Sequence, residues 1–180
     1  AYALGEIRNE RSLIVLIHAL NDGNEWVRRY VVSALAEIAK LEAVAPIVES
    51  MKKESDEMCV LNIKAMKKFG SGAVGEIIKF ILPENERLVP YLTAMLKSFG
   101  SDGAYEIVKN AGLFIDSKYA AEKIASVVEA IGAPALDAIN AFAASNPAEQ
   151  RTIAFLKELT KLVNKGGPQA PASQPRIHKR

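Results

Sequence analysis

An all-α solenoid of about five stacked helical hairpins is the architecture this 180-residue sequence predicts, and three observations carry the prediction. Apolar residues recur at Ile7, Ile38, Phe69, Phe99, Ile131 and Leu162, at intervals of 31, 31, 30, 32 and 31 residues. A fixed period of that size marks tandem helical repeats. The neighbours keep the same step: Ala3-Leu4-Gly5-Glu6-Ile7 is echoed by Ala34-Leu35-Ala36-Glu37-Ile38 and by Ala65-Met66-Lys67-Lys68-Phe69. Likewise, Phe69-Gly70-Ser71 returns as Phe99-Gly100-Ser101 and as Ile131-Gly132-Ala133. Finally, 49 % of the residues are apolar, which suits a continuous core, because a helical pair of about thirty residues cannot cover its own apolar face and is stable only against its neighbours. A right-handed superhelix without strands is expected.

Each repeat reads as a first helix, A, and a second, B. The first A helix is expected over about Arg11 to Leu20, where Leu13, Ile14, Leu16, Ile17 and Leu20 follow a 3.6-residue period. Asn21-Asp22-Gly23-Asn24 breaks it and supplies caps. Its B helix runs from about Glu25 to Ala39 and is expected to bury Val27, Val31, Ala34, Leu35 and Ile38. The second pair spans about Ala43 to Lys53 and Asp56 to Phe69, with Ser55 as N-cap, and the third about Ala73 to Leu82 and Asn85 to Phe99. Pro83 closes a helix, and Pro90 fits only within the opening turn of the next, where a missing N–H costs little.

The fourth pair spans about Gly103 to Ala111 and Ser117 to Ile131, and the fifth Pro134 to Ala144 and Pro147 to Asn164, with both prolines near first-turn positions. Residues 1–165 thus form one solenoid, whose N-terminal repeat is incomplete because residues 1–7 repeat only the end of a B helix. Either a longer solenoid precedes them or a partner supplies the missing cap, and association through this end is expected. Residues 166–180, rich in Gly and Pro and ending Arg176-Ile177-His178-Lys179-Arg180, read as a flexible basic tail.

Composition excludes several function classes. The net charge of +2 comes from the tail, and the remaining chain holds 20 basic against 21 acidic groups, so no global field collects a polyanion and nucleic acid is not expected as a partner. No apolar run is long enough to cross a bilayer, no secretory leader is legible, and a cytoplasmic location is expected. The single cysteine, Cys59, forms no internal disulfide. With only His18 and His178 as histidines, no metal cluster or nucleophile–base pair is legible, so neither catalysis nor a cofactor is expected. Gly70-Ser71-Gly72 and Gly100-Ser101-Asp102-Gly103 follow helices rather than strands and read as helix stops, not phosphate loops. Asn62 falls where Val31 and Leu92 are apolar and is expected to be a buried amide bonded to a loop carbonyl.

The segment Ala3-Leu4-Gly5-Glu6-Ile7, the stripe Leu13, Ile14, Leu16, Ile17, Ala19 and Leu20, the Asn21-Asp22 turn, and Val27-Arg28-Arg29 leading to Ala34-Leu35 resemble the HEAT-like repeats first described in phycobilin lyases. The resemblance covers residues 1–165 as a period and about 1–50 as a motif; the Val-Arg pair becomes Met58-Cys59, Leu88-Val89 and Ala120-Ala121 in later units. It implies an α-solenoid with A helices on the convex side and B helices lining the concave side. It implies no particular activity, since the repeat serves lyases, adaptors and regulators alike.

Rotation by 100° per residue from the expected buried stripe places Arg29, Val32, Ser33 and Ala36 on the opposite face of the first B helix, and Val60, Ile63, Lys64, Lys67 and Lys97 on the same face of later ones. The resulting candidate site is Arg29, Val32, Val60, Ile63, Lys64, Lys67 and Lys97. An exposed apolar strip beside cations suits a protein or peptide carrying acidic and apolar groups. A non-catalytic interaction scaffold or adaptor is therefore the expected function. The alternative is a bilin lyase or isomerase subunit, which would need aromatic and carboxylate groups converging inside the concavity, whereas Trp26 and Tyr30 fall toward the flanks.

Overall fold

The computed structural model describes residues 10–165, which form ten α-helices with no strand among them. They pair as α1 (Glu10–Ala19) with α2 (Glu25–Ile38), α3 (Val44–Ser50) with α4 (Asp56–Met66), α5 (Val74–Ile77) with α6 (Val89–Ser98), α7 (Gly100–Asn110) with α8 (Lys118–Ile131), and α9 (Ala133–Ser145) with α10 (Gln150–Lys165). Helices α3, α5, α7 and α9 pack successively in one layer, α2, α4, α6, α8 and α10 in the other, and α1 lies on α2. This is the two-layer stack of a helical solenoid. The half-repeat and association surface expected at residues 1–7, and the tail expected at 166–180, lie outside the described residues.

The even-numbered helices share one burial register. Leu35, Met66, Leu96, Val128 and Leu159 form one buried column through the stack, and Val31, Asn62, Leu92 and Ile124 form a second. Phe69 and Phe99 are also buried, as the period demands; Ile131, at the same step of the period, is only half-buried at the end of α8, where the chain leaves the packed layer.

Helix ends repeat too. Asn24 accepts from the Trp26 N–H at 2.9 Å, Ser55 from Met58 at 3.3 Å and Ser117 from Ala120 at 3.3 Å, so three even helices begin on a side-chain cap. Without such a cap, α6 starts at Val89 rather than at the expected Asn85, and Asn85 instead sits in a 3₁₀ turn, donating from Nδ2 to Phe80 O at 3.0 Å. Pro90 occupies the first turn of α6 as its missing donor requires. Pro147, expected in a first turn, lies in the connection before α10, which begins only at Gln150. The short α5 is extended by 3₁₀ turns at Ser71–Ala73 and Ile78–Phe80, and Leu82, held extended before Pro83, prevents further helix.

At the far ends, Ala39, Gly70, Gly100 and Gly132 all adopt positive φ, at 54°, 69°, 54° and 70°. Every even helix from α2 to α8 is thus followed by one left-handed residue that turns the chain into the next repeat, and across Gly132 the axes of α8 and α9 bend by 115°.

Polar bonds stitch the first three repeats. Arg28, buried on α2, donates from Nε and Nη2 to the two carboxylate oxygens of buried Glu54, with Nη2 to Oε2 at 2.8 Å, and from Nη1 to Asp22 O at 2.8 Å. Arg87 reaches back from the third repeat, donating from Nη2 to Glu54 O at 2.6 Å and to Asp56 Oδ1 at 3.1 Å. Glu54 therefore bonds to the repeat before it through its side chain and to the repeat after it through its carbonyl. The bond to Glu54 raises the Arg28 pKa above its ordinary value despite burial.

Candidate functional site

The packed face of α2 is rotated from the one the sequence suggests. Arg28, Val31, Val32 and Leu35 are buried, whereas Val27 is 38 % exposed. Val32, expected on an exposed apolar strip, is 4 % exposed, and Ala36 is buried as well. The physical reason is the Arg28–Glu54 pair: a guanidinium that would otherwise face solvent is neutralised inside the repeat interface, and it carries its side of the helix inward.

The remaining expected residues divide. Arg29 on α2, Val60 and Lys64 on α4, Lys67 in the 3₁₀ turn after it and Lys97 in the last turn of α6 are exposed, and Ile63 is half-buried. Arg29, Val32 and Lys64 meet at a cleft of about 240 Å³ between α2 and α4, which Asn62 and Lys68 also line. Val60, Ile63, Lys67 and Lys97 lie outside that cleft. Lys68 is ion-paired with Glu37 across the two helices.

Three features escape the sequence. Asn62 is buried as expected, yet no loop carbonyl receives it: its Nδ2 has no hydrogen-bond partner. Arg29 lies over the Trp26 ring, 5.3 Å from its centroid, a cation–π contact. Trp26 and Tyr30 are 60 % and 62 % exposed, so the large apolar surface of α2 is aromatic. The sequence placed Trp26 and Tyr30 toward the flanks of the helix without pairing either with Arg29. Cys59 lies fully buried near the Met51 carbonyl, and burial pushes its thiol above the ordinary range. A thiol so placed is inert.

Other clefts lack these groups. A groove of about 380 Å³ between α1 and α3 has its cations engaged, Lys53 with Asn21 at 3.0 Å and Lys52 with Glu49 at 2.8 Å. Among the described residues no group of three His, Cys, Asp or Glu side chains could hold a metal ion. No single described helix is long and apolar enough to cross a membrane.

Fold and surface together define the class: an α-solenoid built of tandem helical hairpins. Residues 1–67 match the family model described as HEAT repeats, which supports a HEAT-like repeat family, and the helical period continues to the end of α10. Repeats of this family are commonly protein-interaction scaffolds and are typically non-catalytic. The match carries no phycobilin-lyase assignment. The comparison with curated proteins returned no match.

Proposed function

We propose that this protein is a non-catalytic interaction scaffold that works in the cytoplasm and receives a partner protein or peptide on its even-numbered helices. The observation that carries the reading is a row of exposed cations on stacked helices, Arg29, Lys64, Lys67 and Lys97, beside exposed Val60 and half-buried Ile63. A partner with acidic and apolar groups would neutralise these cations while burying the apolar atoms between them; burying a cation without a counter-charge would be costly. Val32 contributes to the cleft wall rather than to an exposed strip. Trp26 and Tyr30 add the residue types that dominate binding energy at protein interfaces. Nucleic acid and membrane surfaces fit this mixed, locally basic face less well.

Reversal of Lys64 and Lys67 to Glu is the test. Capture of the partner from the source organism is expected to fall at least about tenfold with unchanged helicity, and to weaken with salt in the wild type. Reversal of Lys52, already paired with Glu49 on the opposite layer, is the control and leaves capture intact. Equal capture by wild type and the Lys64/Lys67 variant would show the row of cations to be a solvated face.

A further inference from the structure

Asn62, on the wall of the α2–α4 cleft, holds a buried donor with nothing to receive it. Asn62 is 2 % exposed, lines the cleft, and leaves its Nδ2 without a partner. Its counterparts in the same buried column, Val31, Leu92 and Ile124, are apolar. An amide at such a position gains nothing from packing and forfeits the hydrogen bonds it had in water.

The groups around it point to what would satisfy it. Arg29 and Lys64 line the same cleft and make no ion pair among the described residues, while Lys68 is held by Glu37. These four charged groups sum to +2, and Val32 and Ala36 supply an apolar wall. Among the described residues the combination occurs once. At the α4–α6 step, Val60, Leu92 and Ala94 replace Arg29, Asn62 and Lys64, and at the α6–α8 step Pro90, Ile124 and Ser126 do so.

We infer that the α2–α4 cleft is an anchor subsite for one carboxylate side chain, Asp or Glu, of an acidic peptide, with the Asn62 amide turning into the cleft so that one oxygen accepts from Nδ2 and the other faces Arg29 and Lys64. The inference rests on the scaffold reading and gives it a specific point of attachment. A cleft of about 240 Å³ admits a side chain but not a helix. The methylenes of that side chain would lie against Val32 and Ala36, and its charge would be met by charge-assisted hydrogen bonds. Glu37 beside Lys68 disfavours the doubly charged phosphate of a phosphopeptide at the same place.

The experiment titrates the full chain with N-acetylglutamate amide, which carries a single carboxylate, and follows the Asn62 side-chain amide and the Arg29 Nε–H by ¹H–¹⁵N NMR. Saturable shifts of both resonances are expected. The neutral isostere N-acetylglutamine amide should bind about tenfold more weakly or not at all, the loss expected for one hydrogen bond to a charged group. Asn62→Leu, which installs the residue of the equivalent position 92, should abolish the titration and raise Tm by about 2–4 °C. Lys64→Gln, at an exposed position that leaves the fold intact, should weaken it several-fold. An Asn62 resonance that does not move, or an Asn62→Leu variant that titrates like wild type, overturns the inference. Tighter binding of N-acetylphosphoserine amide overturns the choice of carboxylate. Partner capture by a Lys67/Lys97 reversal separates the two readings, because those residues lie outside the cleft: if capture is unchanged while the probe still shifts Asn62, the subsite stands and the extended scaffold surface fails.

Discussion

Ala39 is the residue at which one repeat departs from the others. It holds φ 54° and ψ 32° at the end of α2, where the three later repeats place glycine. A side chain in the left-handed region costs about 1–2 kcal/mol, against about 0.4–1 kcal/mol of unfolded-state entropy that alanine saves relative to glycine. Ala39→Gly is therefore expected to stabilise the protein by roughly 0.5–1 kcal/mol, read as a higher urea midpoint. Gly70→Ala and Gly132→Ala should destabilise it by more, because ψ of −175° and −133° at those sites puts them in a region essentially confined to glycine. Equal midpoints for all three variants would show that the shared φ does not set the turn. Recurrence of Phe-Gly-Ser made Gly70 and Gly100 legible as helix stops from sequence, with Gly132 an echo of them at the same period. Ala39 was not, because nothing in an alanine announces a positive φ.

At the scale of a helix, the rotation of α2 shows where pattern reading ends. Val27, Val31 and Val32 are chemically alike, so a helical wheel centred on Val27 and Val31 is as apolar as one centred on Val31 and Val32. What decides between them is Arg28, whose burial requires a carboxylate 26 residues away, a pairing no local period encodes. Once Glu54 is known, the face is fixed. Later even helices, with Met66, Leu96 and Val128 at one step, followed the period directly, and the helices and their order were legible for that reason. Asn62 was legible as buried but not as unbonded, since satisfaction depends on what the neighbouring repeat presents. Arg28→Ala leaves Glu54 buried without its partner and is expected to cost about 3–5 kcal/mol, whereas the double change Arg28→Met with Glu54→Leu should recover most of that loss. Chemical denaturation of the single and double variants checks this, and a double variant no better than Arg28→Ala would assign the stitch to the bonds with backbone carbonyls instead.

Across the whole molecule, stability is distributed along one dimension, since each repeat contacts chiefly its neighbours. Phe142 is buried in α9 near one end of the stack. Phe142→Ala is expected to cost about 3–5 kcal/mol and to lower amide hydrogen-exchange protection in α7 to α10 while leaving α2 to α4 almost unchanged. Arg28→Ala should show the opposite distribution. A uniform loss of protection in either case would mean the solenoid unfolds as one unit. The two halves also differ in how they are fastened: Glu54 joins three successive repeats through one buried and one partly buried bond, whereas an ion pair farther along, Arg151 with Asp116, is exposed to solvent on both sides. Under tension applied at its ends, such a chain behaves as two springs in series, one stiff and one soft. Extension would be drawn from the coils beyond Arg87 first, and the cleft bearing Asn62 would keep its shape under load while the distal half pays out as slack.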